Sequence, residues 1–186
     1  MTATSALWAT LHDQHSVAAM IRALRSDGDD RMAKLLAQWV VLSVCRPSEA
    51  QFIKHEEIDL VRKVWTIPAQ RTKANSDHVV PITDAMAELL FAAAKRWPTS
   101  ADCVFVNKRC LRQGARAAFA DWAKSYGKFS SEVIHAQLGH RPSTVDAAHS
   151  RNSMMEAWAA YVMGAADFAD TKAVLSVQRD ARMGAR

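Results

Sequence analysis

The sequence predicts a mainly helical domain that carries one small antiparallel β-sheet, which is an α+β fold class. Most of the chain repeats apolar residues at helical spacing, whereas the segments at residues 64–68 and 78–82 are short and rich in β-branched residues. The polar residues 74–77 lie between these segments and suit the turn of a hairpin. A chain of 186 residues is long enough for one domain with a sizeable core.

The first part of the chain predicts two helices and the start of a third. Residues 6–25 place apolar side chains at helical spacing, and an Asp in the turn at residues 26–30 can cap the next helix. The apolar run at residues 32–45 is too long for a typical strand, so it predicts a buried helix with Cys45 in the core. Pro47 suits the first turn of another helix, because a proline there loses no hydrogen bond.

Further helices are predicted after the hairpin. Thr83 and Asp84 can cap a helix over residues 85–96. The same periodicity predicts helices near residues 111–126, 131–139, 143–149 and 153–163. The polar, arginine-dotted residues 170–186 predict a tail that is either a loosely held helix or disordered. We therefore expect a single domain over residues 1–169.

The composition is that of an ordinary globular protein with a basic second half. The net charge is +5, and residues 61–100 hold six basic against three acidic side chains, while residues 101–150 hold seven against four. This excess suits nucleic acid as a partner, or an ordinary solvated surface. Three cysteines show no metal-ligand or disulfide spacing. No apolar run reaches the length of a membrane span and the start is unlike a signal peptide, so we expect a cytoplasmic protein.

Two basic side chains in the first half are candidates for phosphate chemistry. Arg46 follows the apolar run, and its planar, permanently charged guanidinium can bond two phosphate oxygens at once. Glu49 could hold that guanidinium in place, or the pair could be a surface arginine beside a helix-start glutamate. Lys73 lies between the two predicted strands, where a lysine could protonate a leaving oxygen or simply be solvated.

The second half holds the remaining candidates. Arg116 lies near a predicted helix start, with Gln113 three residues before it; a glutamine can donate a hydrogen bond to phosphate but cannot take a proton. Gly139 permits a left-handed turn that fixes the direction of His140, and His149 follows nine residues later. Basic residues before Arg116 would favour phosphate contact: Lys108, Arg109 and Arg112.

The order and spacing of these residues over residues 30–164 resemble the catalytic domain of the tyrosine recombinases, the phage integrase family. The segments are most similar to integrases carried by prophages and genomic islands. The resemblance implies that family's fold, a phosphate pocket formed by Arg46, Arg116 and His140, and a leaving-group acid at Lys73. The nucleophilic tyrosine of the family is replaced by His149, and the histidine of its second arginine box is replaced by Gln113.

The resemblance also implies which partners and cofactors this chain should have. We expect double-stranded DNA as the partner, no cofactor or metal, and an oligomer on DNA through the C-terminal helix. Residues 1–30 are too few to supply the separate N-terminal DNA-gripping domain of full integrases, so we expect that domain to be absent.

Three functions fit these residues. The favoured one is a DNA-binding domain of the integrase type with impaired strand cleavage. The second is an active strand-transferring or nicking enzyme that uses His149, Tyr161 or a tyrosine from another subunit, since an imidazole is itself a possible nucleophile. The third is a non-catalytic helical interaction domain that uses the apolar residues near 154–162, although we expect those residues to pack inside the chain's own core.

Overall fold

The computed structural model describes residues 14–26, 32–96, 103–105, 115–125, 127, 129–140 and 145–164. Its helices are α1 (Gln14–Ser26), α2 (Met32–Ser43), α3 (Pro47–Gln51), α4 (Asp84–Arg96), α5 (Ala115–Ser125), α6 (Ser131–Gln137) and α7 (Val145–Met163). Its strands are β1 (Ile58–Asp59), β2 (Val64–Ile67) and β3 (His78–Pro81). The predicted class, mainly helical with a small antiparallel sheet, is confirmed. The predicted tail at residues 170–186 lies outside the described residues.

The three strands form an antiparallel sheet in the order β1-β2-β3. Trp65 of β2 pairs with Val80 of β3, and both side chains are fully buried. In the turn between these strands, the Thr72 hydroxyl donates to the carbonyl of Ser76 at 2.7 Å, and Asn75 takes a left-handed φ of 52°. The hairpin predicted from the two β-branched segments is therefore confirmed.

Helix α2 lies at the centre of the core, as its uniformly apolar sequence predicts. It packs against α1, α4, α5 and α7, and its residues from Lys34 to Ser43 are all buried. Trp39 is fully buried between Trp65 and Phe105, with ring centroids 5.5 Å and 5.6 Å away. Cys45 is 1% exposed, which confirms its predicted place in the core.

The C-terminal helix corrects one prediction. Residues 143–149 and 153–163 were expected to form two helices, but α7 runs without a break from Val145 to Met163. No glycine or proline interrupts this stretch, and Asn and Ser cost a helix little. Arg151 and Met154 are both buried on the face that packs inward, so tertiary packing carries the helix through the polar junction.

The apolar residues of α7 pack inside the chain's own core, as expected. Met154, Trp158 and Val162 are fully buried. The Trp158 ring lies 5.2 Å from that of Trp122 and 5.4 Å from that of Phe119, and its Nε1 donates to the carbonyl of Val41 at 2.9 Å. This aromatic cluster joins α7 to α5 and to the central helix α2.

None of the helices in the described ranges is both long and apolar enough to cross a membrane.

Replacing Trp158 by alanine should lower the free energy of unfolding by about 4 kcal/mol, because a fully buried aromatic side chain leaves a cavity and an unpaired carbonyl. Chemical denaturation measures this loss. Phe91→Ala is the matched control: its side chain is 65% exposed on α4, so its cost should stay below about 0.5 kcal/mol. Similar losses for the two variants would contradict the described packing of α7.

Candidate phosphate-binding site

Arg46 is held by Glu49 at the start of helix α3. Arg46 is the residue before the first helical turn, which opens with Pro47. One carboxylate oxygen of Glu49 accepts from Arg46 Nη1 at 2.8 Å, and the other accepts from the backbone nitrogen of Arg46 at 2.8 Å. Glu49 is only 2% exposed, so its charge is well placed to fix the arginine. The contact expected between these two residues is present, and its role in binding stays a prediction.

Arg116 joins three segments that are far apart in the sequence. From the first turn of α5, its Nη1 donates to the carbonyl of Val44 at 2.9 Å, and its Nη2 donates to the carbonyl of Leu138 at 2.6 Å. The same Nη2 lies 3.5 Å from Nε2 of His140. Burial, followed by the charge of Arg46, lowers the pKa of Arg116. The two arginines and His140 predicted from the sequence therefore do come together.

Two left-handed residues direct the backbone at this point. Val44 has a φ of 57°, a conformation that a β-branched residue rarely adopts, and its carbonyl accepts from Arg116. Gly139 has a φ of 65°, as predicted for the glycine that follows α6. The strained backbone at Val44 presents a carbonyl to the Arg116 guanidinium, and the unstrained turn at Gly139 brings His140 beside it.

The charge balance of the site favours an anion. The positive charge of Arg46 is close enough to Arg116 to lower the pKa of Arg116. The carboxylate of Glu49 interacts with both guanidinium groups. The hydrogen bonds of Arg116 go to neutral carbonyls, which do not neutralise its charge. Burial, then Arg116, His135 and Arg46, lower the pKa of His140, so this imidazole is mostly neutral at pH 7. It can serve as a hydrogen-bond donor beside two permanent charges.

A further arginine, Arg151, is buried next to the cluster of Arg46, Arg116 and His140, and it was not predicted from the sequence. Arg151 is 3% exposed, and its Nε and Nη2 donate to Oε1 of Gln137 at 3.2 Å and 3.1 Å. Its Nη2 also donates to the carbonyl of Val79, and Gln137 Nε2 donates to the carbonyl of Ser43 at 3.0 Å. Burial lowers the pKa of Arg151 to about 10, so it remains charged at neutral pH. This network fastens α7 to α6, β3 and the end of α2.

The spacing of Arg151 could have revealed it. Arg151 lies three residues before Met154 and seven before Trp158, which places all three on one face of a helix. An arginine on the apolar face of a helix is buried with its hydrogen bonds satisfied, or it marks a site. The predicted break between two helices concealed that spacing.

His78 is a second residue that sequence reasoning missed. It opens β3, and its ring lies 3.5 Å from where a side chain at Gly139 would begin. Burial lowers the pKa of His78 to about 4, with the charge of Arg151 as the next cause, while a hydrogen bond to the backbone of Gln137 acts in the opposite direction. A neutral imidazole therefore packs under the turn that presents His140.

The hairpin contacts the segment from Arg46 to Glu49, here called the first arginine box, through Arg71 and not through Lys73. Arg71 Nη1 donates to the carbonyl of Glu49 at 3.0 Å, and its Nη2 forms an ion pair with Glu57. Glu57 also accepts from Nε1 of Trp65 at 3.0 Å, so the pair is anchored to the sheet. Lys73 is exposed beyond this anchor and has no hydrogen bond or ion pair with another described residue. Its part in catalysis stays a prediction.

The remaining candidates divide between exposed, buried and undescribed positions. His149 is exposed on α7, two residues before the buried Arg151. Tyr161 is 7% exposed, and its hydroxyl lies 3.1 Å from Nδ1 of His15 on α1, about 18 Å along the helix axis from position 149. The structure thus places Tyr161 in the aromatic core, stacked on Trp122 and Trp158. The candidates outside the described residues are Gln113, Lys108, Arg109 and Arg112.

Sequence comparison identifies the family. A model described as "Phage integrase family" matches residues 11–141, which is more than half of the chain. The chain belongs to the phage integrase family. The match ends before His149, so it does not bear on the residue at that position.

Among the residues that the structure describes, no group of three His, Cys, Asp or Glu side chains could hold a metal ion.

Individual relatives agree with this assignment. The chain is 34% identical over 71 residues to prophage integrase IntA of Escherichia coli (strain K12), which covers 38% of this chain and 17% of that protein. It is 23% identical over 176 residues to prophage integrase IntZ of the same strain, which covers 83% of this chain and 44% of that protein. The chain therefore spans less than half the length of either relative.

A crystal structure of XerA recombinase aligns with 94% of this chain and 63% of its own, at a TM-score of 0.41 and 15% identity.

The low pKa of His78 predicts a specific loss of stability in acid. Its folded pKa of about 4 is below the usual value of 6.5, so the unfolded chain takes up this proton first. The stabilisation is complete above about pH 6.5 and is lost as the pH falls toward about 4, by about 2 kcal/mol for this partly buried ring. The measurement is the free energy of unfolding as a function of pH, compared with His78→Phe, which should lack this component.

His55→Phe provides the matched control, because His55 is exposed elsewhere on the surface. Its pH profile should follow that of the unmodified chain. If His78→Phe also follows that profile, the imidazole of His78 is not held neutral by the fold.

Proposed function

We propose that this chain is a DNA-binding catalytic domain of the integrase type whose ability to cleave a DNA strand is impaired. The observation that carries the proposal is the convergence of Arg46, Arg116 and His140 on one pocket that has more positive than negative charge. The partner is double-stranded DNA, whose phosphates such a pocket binds. Members of this family act in the integration and recombination of DNA. In the proposed function, the contribution of this domain is to bind phosphates of the DNA backbone.

The pocket suits a phosphodiester because its donors are arranged before the ligand arrives. Glu49 fixes Arg46, and two carbonyls fix Arg116, so little side-chain entropy is lost on binding. Guanidinium groups present paired donors to phosphate oxygens, and a neutral His140 can add one more. Fixed charges of this kind would also stabilise the extra negative charge that builds up when a nucleophile adds to phosphorus.

The impairment follows from two substitutions. His149 occupies the position where the family has its tyrosine, so the hydroxyl that would form a phosphotyrosine bond is missing there. Gln113 occupies the position of the second-box histidine and cannot transfer a proton. The placement of Tyr161 supports the same proposal, because its ring is buried against Trp122 and Trp158 and its hydroxyl lies 3.1 Å from Nδ1 of His15.

The geometry gives less support to a function in which the C-terminal helix binds another protein. Met154, Trp158 and Val162 would have to be exposed for that role, and all three are fully buried in the chain's own core. Assembly on DNA through this helix is for the same reason left out of the proposal.

The double variant Arg46→Ala plus Arg116→Ala should weaken DNA binding by about a hundredfold at low salt, because two charge-assisted phosphate contacts are lost. A mobility-shift assay with a duplex oligonucleotide over a range of salt concentrations measures this change. The slope of log affinity against log salt should also become shallower by about two, one for each phosphate contact.

Arg22→Ala plus Arg62→Ala is the control of equal charge, since both arginines are exposed on other elements. It should change affinity by less than about fivefold, through the overall charge alone. Equal effects of the two double variants would mean that affinity depends only on net charge, and would contradict a specific phosphate site at Arg46 and Arg116. No shift at low salt by the unmodified chain would reject DNA binding.

A nicked half-site DNA that traps covalent intermediates should give no adduct with the unmodified chain on a denaturing gel. Restoring the hydroxyl with His149→Tyr should produce an adduct slowly. Adding Gln113→His should speed its formation by about 10² or more, because a group that can transfer protons then returns to the site.

Two further variants show whether the unmodified chain cleaves by another route. An adduct that disappears in His149→Ala would assign a phosphohistidine and a nicking activity, and one that disappears in Tyr161→Phe would assign the buried tyrosine. Either result overturns the impaired function. If neither restored variant forms an adduct, the defect extends beyond positions 113 and 149.

A further inference from the structure

Two histidines, His135 and His140, face each other at the end of α6. Their Nδ1 atoms are 3.2 Å apart, and their ring centroids are 5.5 Å apart with the planes tilted by 38°. The left-handed turn at Gly139 brings them together, because it lets the backbone N–H of His140 donate to the carbonyl of His135 at 2.9 Å. The turn that presents His140 therefore also sets the contact between the rings.

A hydrogen bond between two Nδ1 atoms needs one proton, and this requirement couples the two rings. A neutral imidazole carries its single proton on either Nδ1 or Nε2. Nε2 of His140 lies 3.5 Å from Nη2 of Arg116, and a guanidinium can only donate. In this arrangement His140 holds its proton on Nδ1 and donates it to His135, while its Nε2 faces a donor.

A bound phosphodiester reverses this requirement. Its oxygens only accept hydrogen bonds, so His140 must carry its proton on Nε2, and its Nδ1 must then accept a proton from Nδ1 of His135. The shared proton moves from His140 to His135, His135 releases its Nε2 proton to water, and water returns one to Nε2 of His140. The number of protons on the pair is unchanged.

We propose that His135 is a positioning residue that sets the tautomer of His140 and thereby lets His140 donate to a DNA phosphate. The inference rests on the proposed function, because the phosphate belongs to the DNA backbone. His135 itself needs no contact with DNA. It acts through the second nitrogen of a ring whose first nitrogen meets the ligand, as partners of functional histidines commonly do.

Nitrogen-15 spectra of the imidazoles, with and without a short duplex oligonucleotide, test the inference directly. In the unmodified chain, DNA should move the protonated nitrogen of His140 from Nδ1 to Nε2. His135→Phe should weaken DNA binding about fivefold, which is the effect of one lost hydrogen bond, and should remove the DNA-dependent change of tautomer at His140. His135→Gln should restore most of the affinity, because its amide can donate to or accept from Nδ1 of His140.

His55→Gln is the control, since His55 is exposed and outside the pocket. It should leave the affinity and the His140 spectrum unchanged. If the unmodified chain binds DNA through Arg46 and Arg116 but His135→Phe alters neither of these two quantities, the inference is wrong and the proposed function stands. If the unmodified chain binds no DNA at low salt, the proposed function fails and the inference falls with it.

Discussion

The two hydrogen bonds from the Arg116 guanidinium to backbone carbonyls are the interaction on which the candidate site depends. They join the loop after α2 to the turn after α6, and these segments are 72 and 22 residues away from Arg116 in the sequence. Each bond has an ionised donor and a neutral acceptor, so the bonds are strong while the positive charge stays available. One side chain thereby assembles the pocket and contributes half of its permanent charge.

A second buried guanidinium, that of Arg151, supports this assembly from behind. It has neutral acceptors on Gln137 and Val79, and Gln137 in turn holds the carbonyl of Ser43. Each of these three residues is next in sequence to a residue that contacts Arg116 or Gly139: Leu138 and Val44 accept from Arg116, and His78 packs against Gly139. A buried charge without a carboxylate is costly, so its hydrogen bonds must all be present for it to be tolerated. The position of α7, and hence of residue 149, is tied to the phosphate pocket through this network.

The chemistry of the site follows from the contrast between permanent and adjustable donors. The two arginines stay charged, whereas burial and nearby positive charge keep His78 and His140 mostly neutral at pH 7. Neutral imidazoles have a choice of tautomer, and that choice is governed by the groups that they contact. In the proposed function, the chain binds phosphate although strand cleavage is impaired, because binding and bond cleavage use different side chains.

The sequence by itself determined those features that depend on local order along the chain. Helical periodicity predicted the buried helix α2, β-branched segments predicted the hairpin, and the glycine at 139 predicted the turn that presents His140. The order and spacing of Arg46, Arg116 and His140 were enough to predict that they share a pocket, since the resemblance to integrases fixes their relative places.

Only the tertiary structure decided which neighbours these residues meet. It carried α7 through a polar junction, because Arg151 is buried there with hydrogen bonds to Gln137 and Val79. It placed His78 under Gly139 and brought Arg71, in preference to Lys73, to the first arginine box. Contacts between distant segments depend on how whole faces pack, and no periodicity within one segment contains that information.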